Sequence, residues 1–264
     1  MDNVPDPAII AFDVDGTITE SKRPIGDDMS NLICELLTKK RVALISGAPL
    51  KRFHDQLLSF MPCVIGAGSG AVQNLVLLPA NGSQCYEYDA ATNEWVLKDE
   101  EQLAPEIKSK VMQAIEDVIY DPQYEVPKNP TGEYVEDRGT QLTFSALGQQ
   151  AALDKKALWD LDHKKRQKIK AALDERVGSM VDIVIAGTTS IDVNDKGFNK
   201  ATGLLRLLTR LGLTIEDMLF VGDSVFPGGN DFAPKEAGIQ TMAVSGPDDT
   251  AQIIKTVLSN TVAQ

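Results

Sequence analysis

The stretch Ala8-Ile9-Ile10-Ala11-Phe12-Asp13-Val14-Asp15-Gly16-Thr17 (AIIAFDVDGT) decides how the rest of the chain is read. A continuous apolar run bounded by a turn reads as a strand buried on both faces, as in a parallel sheet. This one ends in two carboxylates two residues apart, and Asp-Gly closes it. Asp-Gly is common turn chemistry, so on its own DVDGT is a turn. Other segments give it a second meaning.

Val42-Ala43-Leu44-Ile45 is another apolar run, ending at Ser46-Gly47. Met218-Leu219-Phe220-Val221 ends at Gly222-Asp223-Ser224, with Gly228-Gly229-Asn230-Asp231 behind it. Gly197-Phe198-Asn199-Lys200 leads into a helical pattern carrying Leu204, Leu208 and Leu211. LKRFHDQLLSF is also helical, with Phe53, Leu57 and Leu58 on one face. Strands alternating with helices predict an α/β fold with a parallel sheet. Ligands of such sheets sit outside the carboxyl ends of the strands. Asp13, Asp15, Ser46, Gly47, Lys200, Asp223, Asn230 and Asp231 are thus expected along one edge.

The texture changes after Pro79-Ala80-Asn81-Gly82. CYEYDAATNEWVL predicts a hairpin, residues 104–119 a long helix, and 164–177 a charged amphipathic helix. The βα pattern returns after DIVIAG. The expected organisation is a discontinuous Rossmann-like core over 1–81 and 187–264, interrupted by an α+β cap over 82–186.

Composition narrows the partners. The 264 residues carry 26 basic and 38 acidic side chains, a formal net charge of −12. That excess disfavours nucleic acid or an anionic membrane as the main partner. Apolar runs are too short to span a bilayer. MDNVPDPAIIAF lacks a signal peptide's basic region and cleavage site, so a cytoplasmic protein is expected. Cys34, Cys63 and Cys85 form no CxxC, so a disulfide framework is not expected. With two histidines, a zinc site of the His/Cys kind is not expected either.

Three carboxylates crowded at one edge repel one another unless a cation joins them, and hard oxygen donors suit Mg2+. Ser46 and neighbouring N–H groups can hold phosphate oxygens, and Lys200 can neutralise charge on a transferring phosphoryl group. One aspartate of the first pair can then attack phosphorus while the other moves the proton. Two competing motifs fail or weaken. The DxD start of a calcium loop has Ile18 where glycine is needed and Pro24 where glutamate is needed. Gly66-Ala67-Gly68-Ser69-Gly70-Ala71 matches GxGxxA, but it follows no first strand, and Pro79 cuts its helix short.

The order DVDGT, LISG, a helix-initial lysine and GDSVFPGGND resembles the haloacid dehalogenase superfamily of phosphotransferases. FDVDGTIT, PANGSQCY, DIVIAGTTSIDVNDKGFNK and VSGPDDT narrow the resemblance to the eukaryotic-type phosphomannomutases. The resemblance implies Asp13 as nucleophile and Asp15 as general acid/base. It implies a metal held by Asp13, Asp15 through its carbonyl, Asp223 and Asp231, with phosphate contacts from Ser46, Gly47, Lys200 and Asn230. Lys196 is the competing lysine, and Gly-Phe-Asn-Lys favours Lys200. Lys22, Arg138, Gln149, Ser190 and Asp192 match substrate-binding positions. Gln149 stands where the family carries a second cap arginine. The expected activity is transfer on a hexose phosphate through phospho-Asp13, favouring mannose 6-phosphate/mannose 1-phosphate interconversion with a hexose bisphosphate activator. A sugar-phosphate phosphatase is the alternative, and a non-catalytic sugar-phosphate sensor a third reading. The expected partner is a small-molecule sugar phosphate, and a homodimer is compatible.

Overall fold

The computed structural model describes residues 7–21, 23–66 and 70–262. Lys22, the acidic N-terminal residues 1–6 and residues 67–69 of the GxGxxA stretch lie outside the described residues. The chain divides into two compact units, Met1–Glu100 with Asn199–Gln264, and Glu101–Phe198.

The first unit is built on a seven-stranded sheet. Its strands are β1 (Ile9–Asp13), β2 (Arg41–Ile45), β3 (Leu75–Leu78), β4 (Gln84–Asp89), β5 (Glu94–Glu100), β10 (Met218–Gly222) and β11 (Gln240–Ala243). They lie in the order β11-β10-β1-β2-β3-β4-β5. The five strands from β11 to β3 are parallel, and β4 and β5 add to them antiparallel. The expected α/β class is the observed one. β1 is buried along its length, which is why IIAF can be continuously apolar before Asp13.

The period of two along each strand divides the core into two faces. Ile10, Phe12, Val42, Leu44, Leu75, Leu77, Leu219 and Val221 pack against α1 (Asp27–Leu37) and α9 (Pro247–Val262). Ile9, Ala11, Ala43, Ile45, Val76, Leu78 and Phe220 pack against α7 (Lys200–Leu211) through Leu204, Leu207 and Leu208. The N-cap of α7 is Asn199, whose Oδ1 accepts from the Ala201 and Thr202 N–H groups. Two short helices, α2 (Leu50–Gln56) and α3 (Pro62–Ile65), follow β2. The apolar Cys63-Val64-Ile65 is therefore helical, and the strand that a dinucleotide fingerprint needs is not there. A further short helix, α8 (Phe232–Glu236), precedes β11.

The second unit has a four-stranded antiparallel sheet of β6 (Val135–Asp137), β7 (Gln141–Ser145), β8 (Val181–Ala186) and β9 (Ser190–Asp195), in the order β6-β7-β9-β8. One face packs Leu142, Phe144, Ile183, Ile191 and Val193 against α4 (Pro105–Tyr120) and α6 (Lys164–Val177), with α5 (Leu153–Trp159) between those helices in the chain. Arg166 of α6 is buried. It pairs with Asp160 at 2.7 Å and also donates to the carbonyls of Ala186 and Gly187, anchoring the β8–β9 turn. A buried pair of this kind persists when its hydrogen bonds are satisfied.

Three expectations are corrected. The hairpin of residues 84–100 extends the core sheet instead of beginning the cap, because the tight turn after β3 folds β4 back along the open edge of β3. Residues 187–198 belong to the second unit, because β9 pairs with both β7 and β8. Cys34 and Cys63 form a disulfide between α1 and α3, since packing brings their Cα atoms to 5.5 Å across 29 residues of sequence. Cys85 is free and buried. Among the described residues no helix is long and apolar enough to cross a membrane.

Gly203, inside α7, lets the helix press on the turn after β3. A Cβ there would lie 2.2 Å from the Asn81 carbonyl oxygen and 2.7 Å from Gly82 Cα. In an open helix Gly→Ala gains about 1 kcal/mol. Here backbone overlap reverses the sign, and Gly203→Ala is expected to destabilise by about 2 kcal/mol or more. Urea unfolding checks it; an unchanged or raised midpoint would contradict the close approach.

Candidate active site

Register places the site before any side chain is considered. Asp13 pairs with Ile45 across β1 and β2, so Ser46 lies just beyond it. Phe12 pairs with Val221 across β1 and β10, so Gly222 and Asp223 continue the same edge. Lys200 is the first residue of α7 and enters from the chain's return to this unit.

The centre is a buried ionic cluster. Lys200 Nζ donates to Asp13 Oδ1 and, at 2.5 Å, to Asp231 Oδ1. Thr17 Oγ1 donates to Asp13 Oδ2 at 3.2 Å, and the Ser224 N–H donates to Asp231 Oδ2 at 3.1 Å. Carboxylate oxygens of Asp13, Asp223 and Asp231 all lie within 4.8 Å of one another. Gly16, at φ +85°, makes the approach of Asp223 feasible, since a Cβ on it would stand 2.6 Å from Asp223 Oδ2.

Burial pushes the Asp13 carboxyl up to about 6, against the opposing pull of Lys200. Burial, then the charge of Asp231, also raises Asp223. Burial alone would lower Lys200, but the charges of Asp13 and Asp231 outweigh it and hold the ammonium above the ordinary lysine value. When ionised, three carboxylates against one ammonium leave two negative charges, and the donors are hard oxygens. That donor set fits a divalent cation.

Most expected residues are where the strand ends put them. Ser46 is buried, and its Oγ accepts from the Ala48 N–H at 3.1 Å, with Gly47 exposed beside it. The Asp15 carboxylate is not one of the three grouped carboxylates; Gln56 Nε2 reaches its Oδ1 at 3.4 Å. Asp15 is thereby held apart from the cluster in a different environment from Asp13. Asp231 is wholly buried, whereas Asn230 beside it is exposed. Lys196 donates to the carbonyls of Gly178 and Ser179, whereas Lys200 joins the aspartate cluster.

Arg138, Gln149, Ser190 and Asp192 lie together in the second unit, on or just after its strands. Thr17 and Gln56 went unassigned in the sequence reading. Thr17 carried a signal, because its turn position four residues after Asp13 lets the hydroxyl reach back. Gln56 carried none, because its contact spans 41 residues of sequence.

A family model described as eukaryotic phosphomannomutase matches residues 29–260. The chain belongs to that family. It is 26% identical over 249 residues to the phosphomannomutase of Encephalitozoon cuniculi, covering 92% of this chain and 90% of that protein. It is 28% identical over 256 residues to the phosphomannomutase of Spinacia oleracea, covering 92% and 93%. Among solved structures, a haloacid dehalogenase-like hydrolase from Bacteroides thetaiotaomicron superposes with a TM-score of 0.62 at 17% identity, covering 95% of this chain and 99% of that one. An IMP-nucleotidase from Plasmodium falciparum gives 0.67 at 17% identity, covering 96% and 71%. The protein is thus a phosphomannomutase-like phosphotransferase with a haloacid dehalogenase-type fold.

In protein freed of divalent cations, the Asp13 carboxyl carbon followed by NMR is expected to titrate near pH 6. Lys200→Gln removes the group that pulls this value down, so the midpoint should rise further. A midpoint near the ordinary 3.8 would contradict the buried geometry.

Proposed function

We propose that the protein transfers the phosphoryl group of a hexose monophosphate, with mannose 6-phosphate and mannose 1-phosphate as its substrate pair, through a phospho-Asp13 intermediate. The observation that carries the proposal is Asp13 itself, a buried carboxylate fixed at a strand end by Lys200, with Asp15 two residues on and held separately by Gln56.

Asp13 Oδ2 accepts from the Thr17 hydroxyl, whereas Oδ1 is tied to the ammonium. Oδ2 is therefore the atom that attacks phosphorus. Lys200 keeps Asp13 ionised near neutral pH and offsets charge as it builds on the phosphoryl oxygens. The Ser46 hydroxyl holds one of those oxygens. Asp15 gives a proton to the departing sugar oxygen and takes one back from the group that next attacks the phospho-aspartate. Two carboxylates in two environments can divide these roles at one pH. A divalent cation bound by Asp13, Asp223 and Asp231, Mg2+ in this reading, supplies the positive charge that lets a dianionic phosphate approach three carboxylates.

Incubation with mannose 1-phosphate and Mg2+ should yield phosphorylated or hydrolysed product, lost on chelation and restored by added Mg2+. Asp13→Asn should lower turnover by about a thousandfold or more. Turnover by this variant within about tenfold of the wild type would rule out the covalent route.

A further inference from the structure

The segment Val244-Ser245-Gly246-Pro247-Asp248-Asp249-Thr250 (VSGPDDT) carries part of the family resemblance, yet none of its residues has a role in the chemistry so far. It lies wholly in the first unit, running from the end of β11 into the first turn of α9. Two of its bonds reach the loops that carry the aspartates. The Val244 N–H donates to the Gly222 carbonyl at 3.0 Å, one residue before Asp223. The Thr250 hydroxyl donates to the Thr17 carbonyl at 2.8 Å, across 233 residues of sequence.

The second bond is not the one a helical threonine makes by default. Inside a helix the hydroxyl turns back to a carbonyl three or four residues earlier. For Thr250 that is Gly246, whose carbonyl lies at 3.2 Å and already accepts the Thr250 N–H. A hydroxyl has one proton, and the shorter contact goes to Thr17. Capping of the helix is left to Asp249, whose Oδ2 accepts from the Ser245 N–H at 3.0 Å and from the Ser245 hydroxyl. Thr250 and Thr17 are both fully buried, so water cannot replace either partner.

Thr17 is thus held from two sides. Its N–H donates to the Val14 carbonyl at 3.3 Å, and its hydroxyl donates to Asp13 Oδ2 at 3.2 Å. The Val14 carbonyl also accepts from the Ile18 and Thr19 N–H groups, both at 3.1 Å, which closes the turn on itself. The bond from Thr250 ties this turn to α9, which packs on the sheet through Ile253, Ile254 and Val257. At 3.2 Å the Thr17–Asp13 bond has little slack, and a drift of a few tenths of an ångström in the turn breaks it.

We propose that Thr250 is a positioning residue for phosphoryl transfer: it holds the Thr17 carbonyl so that the Thr17 hydroxyl stays on Asp13 Oδ2 and fixes the direction in which that oxygen faces phosphorus. The inference deepens the phospho-Asp13 reading above and rests on it. Thr250 acts through Thr17 and not on the substrate. Without its hydroxyl the buried Thr17 carbonyl loses this donor, the turn drifts, and the Asp13 carboxylate is left free to rotate about its contact with Lys200. Misdirection of an attacking atom lowers the rate of transfer more than it weakens substrate binding.

Thr250→Val in the full chain keeps the side-chain shape and removes the hydroxyl. With mannose 1-phosphate and Mg2+ it is expected to lower kcat by about tenfold or more and to leave KM within about twofold. Thr250→Ala carries the same expectation and replaces the valine variant if that one does not fold. Thr250→Ser keeps the hydroxyl and should return kcat to within about threefold of the wild type. Ile254→Ala, a core truncation in the same helix assayed well below its melting temperature, should lower that temperature at least as much yet leave kcat within about twofold. A double-mutant cycle tests the route: in a Thr17→Val background, Thr250→Val should change kcat by less than about twofold, because the bond it protects is already gone. An unchanged kcat in Thr250→Val, an equal loss in Ile254→Ala, no recovery with serine, or a fully additive loss in the Thr17→Val background would each overturn the proposal. Turnover by Asp13→Asn close to that of the wild type would instead overturn the phospho-Asp13 reading, and this inference with it.

Discussion

A single buried ammonium organises the catalytic unit. Lys200 sits between Asp13, at the end of β1, and Asp231, in the loop after β10. Carboxylates as close as Asp13, Asp223 and Asp231 repel by about 3–4 kcal/mol per pair at an effective dielectric near 20. Without an opposing charge the loop carrying Asp231 would be driven off the strand end, or its carboxyl would protonate. The ammonium gives both partners a reason to stay ionised and stay near. It also ties the first turn of α7 to β1, so the helix that covers one face of the sheet is fixed by the same contact that fixes Asp13. Stability and chemistry share this bond, and a change at Lys200 disturbs both.

The cluster also depends on atoms that are missing. A Cβ on Gly16 would overlap Asp223, and one on Gly222 would stand 2.6 Å from Asp231 Oδ2. These two glycines let two acidic side chains of the loop after β10 close on the strand ends. In the sequence both read as turn residues, a correct but partial account. Gly16 does turn the chain at φ +85°. Its further role, making room for a carboxylate more than two hundred residues away, belongs to the tertiary structure alone.

The same division runs through the fold. The strands were legible because a parallel sheet covered on both faces demands continuous apolar runs, as in IIAF and MLFVG. The unit boundaries were not, because local pattern does not say which sheet a strand joins. QCYEYD and EWVLKDE alternate as a hairpin in any context, and the open edge of β3 captured them. SIDVND was read as a return to the core, but β9 lies between β7 and β8. Asp13 and Asp223 could be placed from strand ends, and Lys200 from the helix start that follows Gly-Phe-Asn. The Cys34–Cys63 bond, the Gln56–Asp15 contact and the pairing of Arg138 with Glu136 required helix packing or side-chain geometry that spacing does not encode.

The two units carry separable parts of the chemistry. The first holds the Lys200 ammonium among the grouped carboxylates of Asp13, Asp223 and Asp231, with Asp15 close by in the chain. In the proposed transfer this set suits a sugar hydroxyl or water as the second attacking group, since Asp15 would take a proton from either. On the polar face of the second sheet the Arg138 guanidinium is matched by Glu136. The amide of Gln149 satisfies backbone carbonyls instead of reaching for an anion. The second sheet thus orders its polar face by internal pairing, whereas the first unit concentrates charge at its strand ends.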